Sequence, residues 1–337
     1  MKKCTIGGQA VLEGVMMKSP DAIAIAVRTT SGEIALDRQP YTPASKRKKI
    51  YGLPFVRGVV SFIEALSMGF ATLTKAADMG GYEDEEQQPS KFDEFVAKKT
   101  GKTSEQVMMF FAVILAVAMA VGLFILLPTF LSGLLRRHIG SGLGMNLIEG
   151  GIRLGIFIAY IVLISLMKDI RRVFMYHGAE HKTIACYENE DELTVENARK
   201  HSRLHPRCGT SFMLFVVVIS ILLFTLFGWS ENWLIRVVLR LMLMPVVAAI
   251  SYELLRLSGK YDNIFTRIMS APGMALQRLT AKEPDDSMLE VAIASFNAAL
   301  MSTEEYEQAQ SEKAQKSNAD INQSETVAES EASFAGA

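Results

Sequence analysis

Four stretches of this sequence are longer and more apolar than an ordinary soluble core requires: Val107 to Leu127, Leu147 to Met167, Phe212 to Trp229 and Leu234 to Leu257. At 1.5 Å rise per residue, helices of these lengths cross a hydrocarbon layer about 30 Å thick. A helix satisfies its own backbone polar groups in lipid, so the expected fold is mainly α: a polytopic helical membrane protein with four transmembrane helices. Half the residues are hydrophobic yet 21% are charged, so the charges must be segregated into aqueous parts. The first stretch is uncharged and is expected to stop at Pro128. Trp229 and Trp233 bracket Ser230, Glu231 and Asn232 as interfacial aromatics do, which makes the last two spans a hairpin.

Lys and Arg set the orientation. Lys98, Lys99 and Lys102 precede the first span, and Lys168, Arg171, Arg172, Lys182, Arg199, Lys200, Arg203 and Arg207 fill the second connection. The first connection has only Arg136 and Arg137, and the last has none. Positive loops stay inside, so both termini and the second connection are expected in the cytoplasm, with the chain multi-pass in the cell membrane. The three cysteines, Cys4, Cys186 and Cys208, are odd in number and widely spaced, which fits a reducing compartment better than a disulfide framework. MKKCTIGGQA lacks the apolar run of a signal peptide. From Ala281 to the end there are 12 acidic against 3 basic residues, so a net charge of -1 conceals a basic membrane-proximal part. The expected partner is the lipid bilayer, not nucleic acid, and oligomeric state is left open.

Five regions follow. Residues 1-80 form a small α+β cytoplasmic or interfacial region, with two short strands between Ala22 and Leu36 joined through Ser31 and Gly32. Within it, Phe55, Val59, Phe62, Leu66, Phe70 and Leu73 recur at helical spacing, interrupted by Arg57, Glu64 and Lys75. That helix, 54-78, either lies on the membrane surface or packs on the spans through Gly58, Ser61, Ala65 and Gly69. Residues 81-106 read as an acidic linker and pre-membrane helix, and 107-260 as the four-span domain with a cytoplasmic loop at 168-211. A C-terminal cytoplasmic helical segment occupies 261-301, its helix starting after Asp285 and Asp286. The tail 302-337 is disordered by composition.

Four of the five histidines, His177, His181, His201 and His205, fall in that loop with Glu180 and Cys208. His177-Gly178-Ala179-Glu180-His181 has the form H-x-x-E-H, the inverted zincin arrangement. Two imidazoles at i and i+4 share one helix face and can hold a divalent metal, with the glutamate as general base. Gly178 lowers helix propensity, so the motif could sit on a broken helix. The alternative is that His177 and His181 anchor a span at the headgroups while Glu180 pairs with a cation. His205-Pro206-Arg207-Cys208-Gly209 supplies further ligands. Cys208, beside Arg207 and just before a helix that Thr210 or Ser211 caps, is expected to favour thiolate. His205 and Cys208 are better ligand candidates than His201, which suits a solvated charged helix, and Cys186 lies on the opposite face from His177.

Glu253, in the cytoplasmic end of the last span, either completes the metal shell, fixes a ligand histidine or pairs with a basic residue. Arg236 and Arg240 are expected to snorkel or bind lipid phosphate, and Glu149 with Arg153 forms an i,i+4 pair. Gly7 to Met17 is glycine-punctuated and reads as turn geometry, although Gln9 or Glu13 could reach the site from it.

The segments GGQAVLEGVMM from Gly7, YGLPFVRG from Tyr51, YHGAEHKTIACYE from Tyr176, LTVENA from Leu193, HPRCGTSF from His205 and EPDDSMLEVAI from Glu283 carry a resemblance. With them the chain resembles the YqhQ-like bacterial membrane proteins, a family of unknown function described as predicted metal-dependent enzymes. The resemblance covers most of the chain up to Ser302 and implies that the N-terminal segment and the His loop belong to one fold.

These readings converge on a membrane-embedded metal-dependent enzyme, a hydrolase at the cytoplasmic interface. Glu180 would be catalytic, and His177, His181 and His205 or Cys208 the metal ligands. Glu253, His201, Gln9 and Glu13 are further ligand or supporting candidates. Zn²⁺ is the first choice of divalent transition metal for a mixed nitrogen, sulfur and carboxylate set. The substrate would be a lipid, a lipid-linked molecule or a membrane-proximal peptide. The alternative is a non-enzymatic scaffold or transporter subunit with a structural metal site or none, and a thiol-based role for Cys208 is a third option.

Overall fold

The computed structural model describes residues 6–81, 104–139, 143–227, 232–261, 263–309 and 311. Cys4, Lys98, Lys99, Lys102, Trp229, Ser230, Glu231 and nearly all of the linker and tail therefore lie outside the described residues. The chain is mainly helical with a small antiparallel sheet near its start.

The sheet is a meander of β1 (Gly7–Val11), β2 (Gly14–Lys18), β3 (Ala22–Arg28) and β4 (Ile34–Pro40), in that spatial order. Gly7 pairs with Lys18 and Val11 with Gly14 in the first hairpin, whose turn holds Glu13 at φ 51°. The turn expected over Gly7 to Met17 is thus corrected to two paired strands. Both faces of the sheet are buried, which removes the polar alternation that marks an ordinary strand. Val15, Met17, Ala24 and Ala26 face one layer, while Val11, Met16, Ile25 and Val27 face the other.

On the first face lie α6 (Lys168–Glu188) and α11 (Asp286–Leu300), which contribute Tyr176, Ala179, Ile184, Met288, Leu289, Ala292 and Phe296 to one core. Asp285 caps α11 by accepting from the Met288 amide at 3.0 Å. Ser295 Oγ donates to the Ala24 carbonyl (3.0 Å) and Arg38 Nε to the Ala298 carbonyl (3.0 Å), tying α11 to the sheet. On the second face lies α2 (Val56–Gly80), preceded by a short α1 (Ala44–Arg47) and covering the sheet with Met68, Ala76 and Met79. The Thr30 amide donates to the Gly80 carbonyl and the Ala44 amide to Glu64 Oε1 (2.8 Å), so the C-terminal half of α2 runs along the sheet. Its N-terminal end reaches the helical part, where Phe62 meets Phe212 at 5.7 Å between centroids. Ile63, Leu66, Phe70 and Leu73 stay exposed on its other side.

Among the described residues, four helices are long and apolar enough to cross a membrane: Val56–Gly80, Val107–Leu135, Gly144–Ser165 and Trp233–Lys260. This set differs from the expected one. Helix α8 (Thr210–Leu226) is apolar but has only 17 residues, and Val56–Gly80 takes its place in length. The helix expected to stop at Pro128 also continues. It runs as α3 (Ser104–Val121), a π-helical turn (Gly122–Leu126) and α4 (Leu127–Ile139). Proline lacks the amide that would bond the carbonyl four residues back, and the wide turn absorbs the clash. The orphaned Phe124 carbonyl accepts instead from Arg153 Nε at 3.0 Å.

Helix α5 (Leu143–Ser165) packs on α4, and α8 packs on α5, on α9 (Trp233–Lys260) and on α10 (Ile264–Thr280). Inside this bundle Arg240 does not snorkel. Arg240 and Arg153 converge on Glu149, with Arg240 NH2 2.5 Å and Arg153 NH2 3.0 Å from its carboxylate, and Thr129 and Ser132 donate to the same group. All three charged side chains are buried. Glu253 likewise pairs with Arg57, Nε to Oε1 at 2.6 Å and NH2 to Oε2 at 2.5 Å, which takes its two oxygens away from the histidines.

Candidate metal centre

The centre is built on α6, whose middle, Tyr176 to Ile184, is buried on every side. The helix is continuous through Gly178. A Cβ there would lie 1.9 Å from the Lys282 carbonyl oxygen, so only glycine lets α6 and the strap before α11 approach this closely. His177 and His181 consequently stand on one face, ring centroids 4.4 Å apart.

Backbone carbonyls fix both rings. His177 Nδ1 donates to Thr280 O (2.8 Å) and His181 Nδ1 to Arg203 O (2.6 Å), which leaves each Nε2 as a lone-pair donor. Cys208 completes the set: its Sγ is 3.1 Å from His177 Nε2, and one ligand atom from each of His177, His181 and Cys208 lies within 4.8 Å of the others. His181 Nε2 and Glu180 Oε2 are buried and have no hydrogen-bond partner among the described residues.

Cys208 is not the activated thiolate that its neighbours in sequence suggest. Arg207 turns away to pair with Glu188, and burial pushes the thiol up, partly offset by hydrogen bonds from the Thr210 hydroxyl (3.3 Å) and amide (3.4 Å). The Thr210 hydroxyl therefore serves the thiol and not the helix end, and Ser211 forms no cap either. Burial raises the Glu180 carboxyl to about 7, with Cys208 adding and His177 and the Gly8 amide opposing. Burial also holds His181 well below its ordinary value and His205 down at about 4, so both are neutral imidazoles near neutral pH.

The remaining sequence candidates divide. His205 is close, 5.7 Å from His181 between centroids, but its Nε2 faces Glu188 Oε2 at 3.3 Å. Gln9 lines the cavity in front of the site, whereas Glu13 sits at the hairpin turn, where it pairs with Arg172 and accepts from Tyr176 at 3.2 Å. His201 joins Asp191 (2.8 Å) and Cys186 in a separate cluster at the end of α7 (Val195–Lys200). Glu253 is held by Arg57.

Several contributors carried no signal in the spacing of side chains. Thr280 and Arg203 act through carbonyls. Gly8 acts through its amide and through its missing side chain, since a Cβ there would lie 2.8 Å from the Glu180 carboxyl carbon. Gln277 is fully buried and clamps the loop by donating to His205 O and accepting from His205 N, both at 2.9 Å. The cavity, about 710 Å³, lies between β1, β2, α2, α6 and the loop before α8, and Gly8, Glu180, His181, His205 and Cys208 form its floor.

The family described as protein of unknown function (DUF1385) matches residues 53–302, most of the chain. The chain belongs to this family. It is also 37% identical over 295 residues, 87% of its own length and 92% of the relative's, to the uncharacterized protein YqhQ of Bacillus subtilis. No solved structure matches it. The family match begins at Leu53, after the strands that bring Gly8 and Gln9 to the site.

Proposed function

We propose that this chain is a multi-pass protein of the bacterial cytoplasmic membrane with a metal-dependent hydrolytic site on its cytoplasmic side. The observation that carries the reading is the convergence of His177, His181 and Cys208, with two buried polar atoms there that have no partner among the described residues. A buried lone pair left unmatched costs stability, and a cation would relieve it.

The donor set fits a borderline-soft ion such as Zn²⁺, held by His177 Nε2, His181 Nε2 and Cys208 Sγ. When bound, such an ion supplies Lewis acidity toward a carbonyl or phosphoryl oxygen of the substrate. Glu180 holds or releases a proton at Oε2. A carboxyl raised to about 7 is divided between its two forms near neutral pH, which suits a general base that must also return the proton. The Gly8 amide aims the carboxylate, and the Thr280 and Arg203 carbonyls keep the two rings in the tautomer that presents Nε2. Location alone points to a lipid, lipid-linked or membrane-proximal peptide substrate.

Packing supports the topology. The sheet, α6 and α11 share one core, so they lie on the same side of any membrane, and the chain between them must cross an even number of times. In this reading α3 with α4 and α5 supply two crossings, and α9 supplies a third with α8, whose 17 apolar residues are at the short limit of a span, as the fourth. On that count α2 stays on the sheet's side, and in this reading its exposed apolar face meets the membrane surface while the opposite face packs on the sheet.

Elemental analysis after purification without chelators tests the centre. About one transition-metal ion per chain is expected in the wild type, and its loss in His177→Ala and His181→Ala. Metal-free wild type would overturn the reading. Glu180→Gln should keep the metal and fail to complement a deletion strain; full complementation would leave a scaffold. For orientation, an impermeant thiol reagent on intact cells should label Asn232→Cys and not Asn189→Cys.

One contact favours a second reading. Cys208 within 3.1 Å of His177 Nε2 has the form of a thiol nucleophile and its base. Metal-free activity lost in Cys208→Ser would establish it.

A further inference from the structure

The cavity above Glu180 has a polarity that the hydrolytic chemistry does not explain. Its lining carries three cationic side chains, Lys18 from β2, Lys46 from α1 and Arg207 from the loop before α8, against the lone carboxylate of Glu180. Arg207 is tied to Glu188. Lys18 and Lys46 make no ion pair among the described residues, and the Lys18 ammonium stands 5.0 Å from the centroid of the Tyr41 ring. The acid nearest to Lys18 in effect, Glu64, already accepts from the Ala44 amide at 2.8 Å. Burial lowers the Lys18 pKa and Glu64 opposes this only in part, so the ammonium is incompletely compensated inside the protein.

The surroundings give the direction of entry. Lys46 opens the run Lys46-Arg47-Lys48-Lys49, followed by Ile50, Leu53 and Phe55, which are 58%, 52% and 58% exposed. Basic residues beside exposed apolar ones dock on an anionic leaflet. The cavity continues inward from this edge along Pro43, Ala65 and Met68, an apolar wall against the cationic one. At about 710 Å³ it has the size of a small-ligand site. Phosphate is the anion that two lysines from separate elements bind as point charges.

We propose that this cavity takes a phosphate-bearing lipid headgroup from the inner leaflet, gripped by Lys18 and Lys46 and set down over the His177, His181 and Cys208 cluster. The proposal rests on the hydrolytic reading only for the fate of the headgroup, not for its capture.

The test therefore uses full-length protein stripped of metal with a chelator. In nanodiscs of phosphatidylcholine containing a minor share of phosphatidylglycerol, native mass spectrometry counts the anionic lipid retained. Inorganic phosphate is added separately in detergent, with thermal protection as the readout. Wild type should retain phosphatidylglycerol about tenfold better than Lys18→Gln/Lys46→Gln, the ratio expected when charge-assisted hydrogen bonds are lost. The Lys18→Arg/Lys46→Arg pair should retain it, and Lys48→Gln/Lys49→Gln, which changes only the surface run, should fall by no more than about twofold.

Lysine-dependent protection by inorganic phosphate without lipid retention would overturn the lipid source and leave a soluble phosphate ligand. Equal retention and protection in wild type and the double Gln variant would overturn the proposal. Should that variant fail to fold, Lys46→Gln alone, at an exposed position, decides it by the same comparison. Lysine-dependent lipid capture by a protein that never holds metal would keep the proposal and remove the hydrolase.

Discussion

Among the described residues, the buried ionisable side chains of the helical bundle and those of α6 are built on opposite terms. In the helical bundle, Glu149 accepts from Arg153, Arg240, Thr129 and Ser132, so its carboxylate is saturated by the protein itself. On α6, Glu180 and His181 each keep a buried atom unmatched among the described residues, beside a thiol and a second imidazole. A saturated cluster needs nothing further and fixes helices against one another. An unsaturated one is stable only because the fold around it is overdetermined, and it gains from a ligand.

The same substitution, Glu to Gln, should therefore act in opposite directions at the two places. Glu149→Gln leaves two buried guanidinium groups without their counter-charge, and a loss of about 3–5 kcal/mol is expected as a large fall in thermal midpoint in detergent. Glu180→Gln should stabilise the metal-stripped protein at pH 8. The sign follows from the raised carboxyl: with a folded value of about 7 against an ordinary 4.5, its contribution is fully present below 4.5 and is lost as pH rises through 7. The wild type should lose about 3 kcal/mol across that window that the Gln variant does not lose. Paired thermal melts at pH 4.5 and pH 8 check this, and parallel curves for the two proteins would erase the distinction between the clusters.

Gly178→Ala sharpens the comparison from the packing side. The added methyl meets a backbone carbonyl, which cannot rotate away, so a loss of about 1–3 kcal/mol and a weaker hold on added Zn²⁺ are expected together. Isothermal titration of the variant with Zn²⁺ reads the second effect. The smallest change is His201→Ala, which breaks a partly exposed pair with Asp191 and should cost less than about 1 kcal/mol with metal content unchanged. Metal loss in that variant would place His201 in the centre after all.

Periodicity and spacing exposed what repeats along one helix. H-x-x-E-H on one face, the apolar helices and the capped final helix were all legible, because each is local. What was not legible arises from contacts between segments far apart. Gly7 to Met17 looked like a turn because both faces of its hairpin are buried, and nothing in the segment itself reveals α2 on one side and α6 on the other. Arg207 looked like an activator of Cys208 because it is adjacent in sequence, but Glu188, on a different element, captures it. Arg240 looked like a snorkelling residue until Glu149 on α5, 91 residues back, supplied its partner. Gly178 looked like a weak point in a helix, and its reason, the Lys282 carbonyl, lies a hundred residues on.

Segments far apart in the chain close around α6, with Gly8 on one side of it and Lys282 on the other, and this sets a timetable for biogenesis. At a ribosomal pace of about 5–20 residues per second, the hairpin and its two strand neighbours emerge tens of seconds before α11 exists to cover them. During that interval α2 can already cover one face of the four-stranded sheet, while the other apolar face waits uncovered as the long apolar helices are still being handled. Such a sheet is a natural client for a holding chaperone, and the first strand, with an open edge, is its most exposed part. The centre thus cannot assemble until α11 has emerged, and a truncation between Thr280 and Asp286 should disrupt the site without touching one of its ligands.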